Sequence, residues 1–422
     1  MSTKPAGHAA ESPAERSAER PPRWRPGPGL LVTAAFIGPG TVTTASLAGA
    51  NYGFALLWAV VLSTAAAVVV QEMAARTGLI ARRGLAEAIR EAAPTPWARR
   101  TAMALVLTAI VLGNTAYQTS NLIGAGTGLE VLTGLGARPC AALLGVAVTA
   151  VLAAGQISRR LRSVLIAVVL AMSVAFLVTA AMAGPDAEDV ARGALAFRLP
   201  AGATLTVLAL LGTTVVPYNL FLHATAVQQR WPAEAHPGPQ LAAARLDTLL
   251  AVGLGGGVTV AILATAAAAF YGQATPPASV GQLALQLEPL LGPAGRSLFA
   301  AGLAAAGLTS ALTAPLAAGY VAAGALPGPS GRTARGATIA VAGIGALLAG
   351  TLGGTPRQII VVAQAANGLL LPLVVAFLLV AVNRRSLLGR HRNGVVLNVL
   401  GGLVLLLAVG LGGRQLIALL AG

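Results

Sequence analysis

Gly38-Pro39-Gly40-Thr41, inside the apolar run from Leu30 to Ala50, and Val216-Pro217-Tyr218-Asn219, inside the run from Ala203 to Val227, decide how this chain is read. Proline withdraws an amide donor and its ring clashes with the preceding turn, while glycine tolerates the dihedrals of an unwound segment. Each run is therefore expected to be a helix broken near its middle. In a bilayer, freed backbone groups at that depth persist only against protein or a water-filled cavity. Interrupted segments at matching places in two halves of a chain point to the binding site of a secondary transporter, where half-helix ends and bare carbonyls face the cargo.

Composition agrees. Of 422 residues, 56% are hydrophobic and 10% charged, against about 25% charged in an ordinary soluble domain, so an all-α polytopic membrane protein of the cell membrane is expected. Cys140 is alone, which excludes an internal disulfide and a thiolate-rich metal site. The net charge of +15 is scattered among apolar runs, so the expected partner is the lipid bilayer and not nucleic acid. No nucleophile–base constellation is present, and the run from Gly253 to Gly257 lacks the Lys-Ser/Thr of a phosphate loop. Neither an enzyme nor a cofactor is expected, and the oligomeric state is left open.

Residues 1–28 are polar and rich in Pro, Arg, Ala and Glu, with no apolar core of the kind a cleavable signal needs, and read as a disordered cytosolic tail. Residues 29–422 read as one transmembrane domain of eleven spans, near 30–50, 54–75, 102–124, 139–156, 163–183, 203–228, 247–271, 297–322, 335–353, 358–382 and 395–420. Each is close to the ~20 residues that cross ~30 Å of hydrocarbon. Lys and Arg give an independent check, because cytosolic loops retain them. With the amino terminus inside, 22 of the 28 basic residues fall on the cytosolic side and six outside: Arg138, Arg192, Arg198, Arg296, Arg357 and Arg414. The carboxyl terminus is then extracytoplasmic. The broken spans are the first and sixth, which divides the domain into repeats at 29–183 and 203–382, with 395–420 as an added eleventh helix. Five is odd, so the second repeat is inverted relative to the first.

At this point the residues resemble a known family. Gly27-Pro28-Gly29 through Gly38-Pro39-Gly40-Thr41, followed by Tyr52-Gly53-Phe54-Ala55-Leu56-Leu57-Trp58, resembles the first span and loop of the Nramp divalent-metal transporters. Gln71-Glu72-Met73-Ala74-Ala75-Arg76 and Leu85-Ala86-Glu87 continue the likeness. Gly212-Thr213-Thr214-Val215-Val216-Pro217-Tyr218-Asn219-Leu220-Phe221-Leu222-His223 resembles the sixth-span motif, and Gln364 to Pro372 the tenth. The resemblance implies a LeuT-type fold of eleven helices and metal-ion transport, usually coupled to protons. The departures fall on the chemistry. Where the family has Asp-Pro-Gly-Asn this chain has Gly38-Pro39-Gly40-Thr41, and where it has methionine and histidine around the sixth-span proline this chain has Val216 and Tyr218. The acidic pair of span three is replaced by Gln118 and Asn121, and the span-ten glutamine by Leu370, with Asn367 one turn earlier. The missing thioether brings the pattern closer to the family's magnesium-transporting relatives.

The expected cargo is a hard, partly hydrated divalent cation such as magnesium or manganese, carried by alternating access. The candidate substrate-binding residues are Gly38, Pro39, Gly40, Thr41, Thr214, Val216, Pro217, Tyr218, Asn219, Thr309, Thr313 and Asn367. Direct metal contacts fall to Thr41 and to carbonyls near Gly38 and Thr214. Gln118, Asn121 and His223 are the coupling or gating candidates, the last matching a family histidine linked to proton release. No Asp or Glu lies between Gly29 and Tyr52 or between Ala203 and Val227, and a dication near the midplane without a carboxylate is costly. Other cargoes on the same fold, a small neutral, zwitterionic or anionic solute, therefore stand as alternatives, as does a sensor or scaffold that does not transport. Glu72 with Arg76, and Asp247 with Arg245, read as helix-end ion pairs, and Glu130 as a surface residue at the outer end of span three.

Overall fold

An apolar run in lipid has no hydrogen-bond partner but its own backbone, and each run identified above folds as a helix. The computed structural model describes residues 37–155, 158–231, 237–273, 277–326 and 330–421. The tail read over 1–28, the Gly27-Pro28-Gly29 stretch and the first half of span one lie outside the described residues. Span one is described as the helix Pro39–Tyr52, and it is followed by span two, Leu57–Arg76, span three, Pro96–Thr133, span four, Ala137–Ala154, and span five, Arg159–Ala183. Span six is two helices, Thr204–Thr214 and Pro217–Arg230. Spans seven to eleven are Pro237–Phe270, Pro293–Ala325, Ser330–Thr351, Pro356–Asn383 and Val395–Ala421. Ten helices among the described residues are long and apolar enough to cross a membrane, counting the two parts of span six as one. The described residues contain no strand.

Spans three and seven outrun the apolar segments that announced them. Apolar length measures only the hydrocarbon crossing, whereas a helix continues wherever its ends are capped. Span three starts at Pro96 because Thr95 Oγ1 accepts from the Ala98 amide at 3.2 Å, and it stops at Gly134, whose φ is 77°. Two short amphipathic helices, Leu85–Ala92 and Ala187–Leu195, occupy loops with no expected structure. The glycines from Gly253 to Gly257 lie inside the helix of span seven.

Helix association in lipid depends on close backbone approach, and small residues supply it at the crossings that frame the centre. Gly307 of span eight lies against the Asn121 carbonyl of span three, and Gly212 of span six against the Gln364 carbonyl of span ten. A Cβ at Gly124 of span three would overlap the Pro39 ring. Spans one, three, six, eight and ten therefore converge where the prolines interrupt spans one and six. At the opposite end of span two, Glu72 pairs with Arg76 at 3.2 Å and accepts from Arg245 Nε at 2.9 Å. Arg76 also donates to the His391 carbonyl at 2.8 Å and to Asn393 Oδ1 at 2.5 Å. Arg245 thus reaches from span seven to Glu72 of span two.

A Cβ at Gly212 would enter the Gln364 carbonyl, whereas one at Gly253 meets nothing within 4 Å. Gly212→Ala is therefore expected to cost about 1–3 kcal/mol through overpacking. Gly253→Ala is expected to be neutral or slightly stabilising. Thermal midpoints of the detergent-purified variants, read by size-exclusion chromatography, check the pair.

Candidate functional site

The break in span six is built from four residues. Thr204–Thr214 closes with the Val215 amide donating to the Leu211 carbonyl at 2.8 Å. Val215 then turns out of the helix at φ −105°, ψ 66°, and Val216 is extended at φ −70°, ψ 120°. Pro217 begins the second half and has no N–H to offer the Thr213 carbonyl. In span one Gly38 is extended at φ −100°, ψ 177°, and Pro39 is the first helical residue. The expected interruption is thus found in span six, while in span one the described residues show the helix that begins at Pro39, the first half of that span lying outside them. The hydroxyls of Thr41 and Thr213 join the two spans at 2.9 Å.

Side chains of spans three, eight and ten close round this junction. The α-carbon of Gly38 faces Ser310 Oγ, the Tyr117 hydroxyl and Asn121 Oδ1, which a Cβ there would meet at 3.2, 3.3 and 4.0 Å. The Tyr117 and Tyr218 rings meet edge to face with centroids 5.4 Å apart. Gln364 lies over Gly40, where any Cβ would overlap its amide, and its Nε2 donates to Ser120 Oγ at 3.1 Å. Thr41, Tyr117, Asn121, Thr213, Tyr218, Ser310 and Gln364 are fully buried. The junction is therefore closed to both sides.

This centre is polar, neutral and under-satisfied. The hydroxyls of Tyr117, Tyr218 and Ser310 meet one another, whereas the Thr214 hydroxyl, both amide atoms of Asn121 and of Asn219, and Gln364 Oε1 are buried without a hydrogen-bond partner among the described residues. Each unpartnered atom costs about 1–3 kcal/mol, and four residues of this kind round one helix break amount to a surface built to be completed by something polar. No three His, Cys, Asp or Glu side chains cluster among the described residues.

Several candidates sit differently from what their spacing implied. Thr309 turns its hydroxyl onto the Ala305 and Ala306 carbonyls of its own helix, whereas the Thr313 hydroxyl, within reach of the Thr309 and Ser310 carbonyls, also meets Tyr218. Ser310 between them is the one that reaches Gly38. Asn367 lies beside Gly113 of span three, with its Nδ2 unpartnered. Val216 contributes only backbone, and its carbonyl already accepts from the Asn219 amide at 3.1 Å. Gln118 packs against Gly345 of span nine, while Asn121, one turn on, faces Gly38. His223 points towards span two, where its Nδ1 meets Gln71 Oε1 at 2.7 Å. An amide oxygen only accepts, so Nδ1 donates in this pair, and the buried Nε2 has no partner among the described residues. Tyr117, Ser120, Thr213 and Gln364 were missed as site residues. Thr213 and Gln364 lie within the motif stretches quoted above, while Tyr117 and Ser120 gave only the signal of a polar side chain within an apolar run.

Comparison with known proteins follows the same lines. Residues 29–418 match the Nramp family, described as natural resistance-associated macrophage protein-like. The divalent metal cation transporter MntH of Yersinia pestis (strain Pestoides F) is 31% identical over 399 residues, 93% of this chain and 95% of that protein. MntH of Aeromonas hydrophila is 30% identical over 404 residues, with the same shares covered. Among solved structures, the manganese transporter of Eremococcus coleocola, in complex with an aromatic bis-isothiourea compound, superposes with a TM-score of 0.74 at 21% identity, covering 92% of this chain and 84% of that one. MhsT in complex with L-phenylalanine superposes with a TM-score of 0.60 at 17% identity, covering 92% and 98%. These likenesses place the chain in the LeuT-type fold.

The Gln364 amide over Gly40 is open to a double-mutant test. Gly40→Ala is expected to lower the thermal midpoint by overlap with that amide, and Gln364→Ala to lower it modestly through the lost bond to Ser120. The double variant should recover part of the Gly40→Ala loss, with a coupling of about 0.5–3 kcal/mol.

Proposed function

The chain belongs to the Nramp family, and from that premise we propose that it carries a divalent cation of the hard class, magnesium or manganese, partly hydrated, by alternating access through the broken centres of spans one and six. The names of the MntH relatives and of the manganese transporter support the class of cargo. The observation that carries the finer reading is the set of neutral buried oxygens round Gly38: Tyr117, Tyr218, Ser310, Asn121, Asn219 and Gln364. A magnesium ion dehydrates reluctantly and keeps several waters. Those waters are donors, and amide and hydroxyl oxygens accept from them. Thr41 and the carbonyls near Gly38 and Thr214 are the direct oxygens in this reading. The carboxyl end of Thr204–Thr214 adds partial negative charge at the junction, which offsets part of what an absent carboxylate leaves uncompensated.

The arginine distribution supports an amino terminus inside and a carboxyl terminus outside, with 29–183 and 203–382 as the two repeats and span eleven apart from them. Of the coupling candidates, Asn121 stands at the junction and neither it nor Gln118 titrates. Only His223, held by Gln71, is left as a proton carrier. One feature favours a second reading, an anionic or zwitterionic solute: the amino ends of two half-helices, at Pro39 and Pro217, meet at the site and carry partial positive charge.

Uptake into proteoliposomes separates the readings. Saturable magnesium or manganese flux is expected, changed less than about twofold by an imposed pH gradient because no carboxylate relay is present. No flux of magnesium, manganese or calcium would refute the cargo. Thr41→Ala, which removes the link to Thr213, is expected to cut kcat/KM about tenfold, equivalent to 1.4 kcal/mol. Gly38→Asp/Thr41→Asn places a carboxylate between Ser310 and Tyr117 and is expected to lower the KM for manganese more than that for magnesium. Equal shifts for both ions would remove the argument from neutral oxygens.

A further inference from the structure

Away from the junction, at the end of the bundle where spans four, eight and ten begin, lies a cavity of about 830 Å³. Its walls are the last turns of span three, the 3-10 segment Gly281–Leu287 and the first turns of those three helices. Three arginines line it: Arg138, Arg296 and Arg357. They are half of the six basic residues that the charge count assigns to this side of the membrane.

Their placement runs against local electrostatics. Arg138 is the second residue of span four, Arg296 the fourth of span eight and Arg357 the second of span ten. The amino end of a helix carries partial positive charge and favours acids. Arg138 donates to the Gly354 carbonyl at 2.8 Å and Arg357 to the Pro277 carbonyl at 3.3 Å. Those bonds orient the guanidiniums without neutralising them. Glu130 and Glu288 share the wall, yet among the described residues neither pairs with any of the three arginines. The cavity therefore has a net positive formal charge, and three helix ends add to it. Local rules broken together at one place, with no ion pair to the three arginines among the described residues, are the mark of a functional site.

We propose that this cavity binds a small organic anion bearing two or three carboxylates. A guanidinium presents two parallel donors that match a carboxylate, and three of them round one space call for a multivalent ligand. The volume falls in the range of small-molecule sites and exceeds what a single tetrahedral anion fills. Bound there, the polycarboxylate reverses the sign of the net charge in the cavity. The site shares no residue with the junction of spans one and six, so its test is independent of the cargo.

The test is titration of the purified full-length protein with citrate, succinate, inorganic phosphate and acetate, in low-salt buffer stripped of metal by a chelating resin, read by isothermal calorimetry and thermal shift. Saturable citrate binding is expected, with succinate weaker and acetate undetectable, and raising the salt from about 50 to 300 mM should weaken it by screening. Arg296 is exposed and makes no hydrogen bond to the described residues, so Arg296→Gln should fold with an unchanged thermal midpoint and bind citrate about tenfold more weakly. Arg296→Lys should fall between it and the parent, and Thr41→Ala should bind as the parent does. The proposal is overturned by absence of saturable citrate binding, by affinity unchanged in both Arg296 variants, or by phosphate binding as tightly as citrate.

Discussion

One bond between two hydroxyls, Thr41 to Thr213, ties the helix that Pro39 begins to the place where span six breaks. Backbone unwound within the bilayer has no water or lipid group to serve it, so the rest of the centre is arranged to tolerate it. Gly124 admits the Pro39 ring, Gly40 admits the Gln364 amide, and Gly212 lets spans six and ten touch through backbone. The interruptions also set the polarity of the site. The first half of span six ends there on carbonyls, while the second halves of spans one and six begin there on amides. A transporter whose ligands are carboxylates depends less on these backbone poles than this chain does.

The neutral character of the site follows from which side chains surround Gly38. Tyr117 and Ser310 direct hydroxyls to the position from which an aspartate would project, and Asn121 adds an amide oxygen. Such groups bind a bare cation weakly and a water molecule well, which is the distinction between a site that strips an ion and one that takes it with part of its hydration shell. The outer cavity is the counterpart, charged where the junction is neutral. Two of its arginines, Arg296 and Arg357, lie at the starts of spans eight and ten, whose other residues reach the junction, so the two regions are linked through those helices without sharing a residue.

How much of this was legible before the fold was known differs from element to element. The apolar runs marked every described span, because a helix in lipid must be continuous over the hydrocarbon. Their ends were not legible where span three extends to Thr95 and span seven to Pro237, since capping residues and water take over beyond the apolar stretch. At the site, Gly38, Thr41, Tyr218 and Asn219 were visible from the proline breaks. Tyr117 and Ser120 were not, because one buried polar residue in an apolar helix looks the same whether it bonds its own helix, as Thr309 does, or a neighbour, as Gln364 does.

The sequence by itself determined that the chain is a bundle of membrane helices, that two of them break, and that no acid stands at either break, because these depend only on local chemistry along the chain. Tertiary structure alone decided which polar groups meet. Gln118 and Asn121 lie one turn apart on a single helix, yet the first packs on Gly345 and the second faces Gly38. The direction of a side chain round its helix is set by covalent geometry, but the neighbour it encounters is set by where small residues let other helices approach.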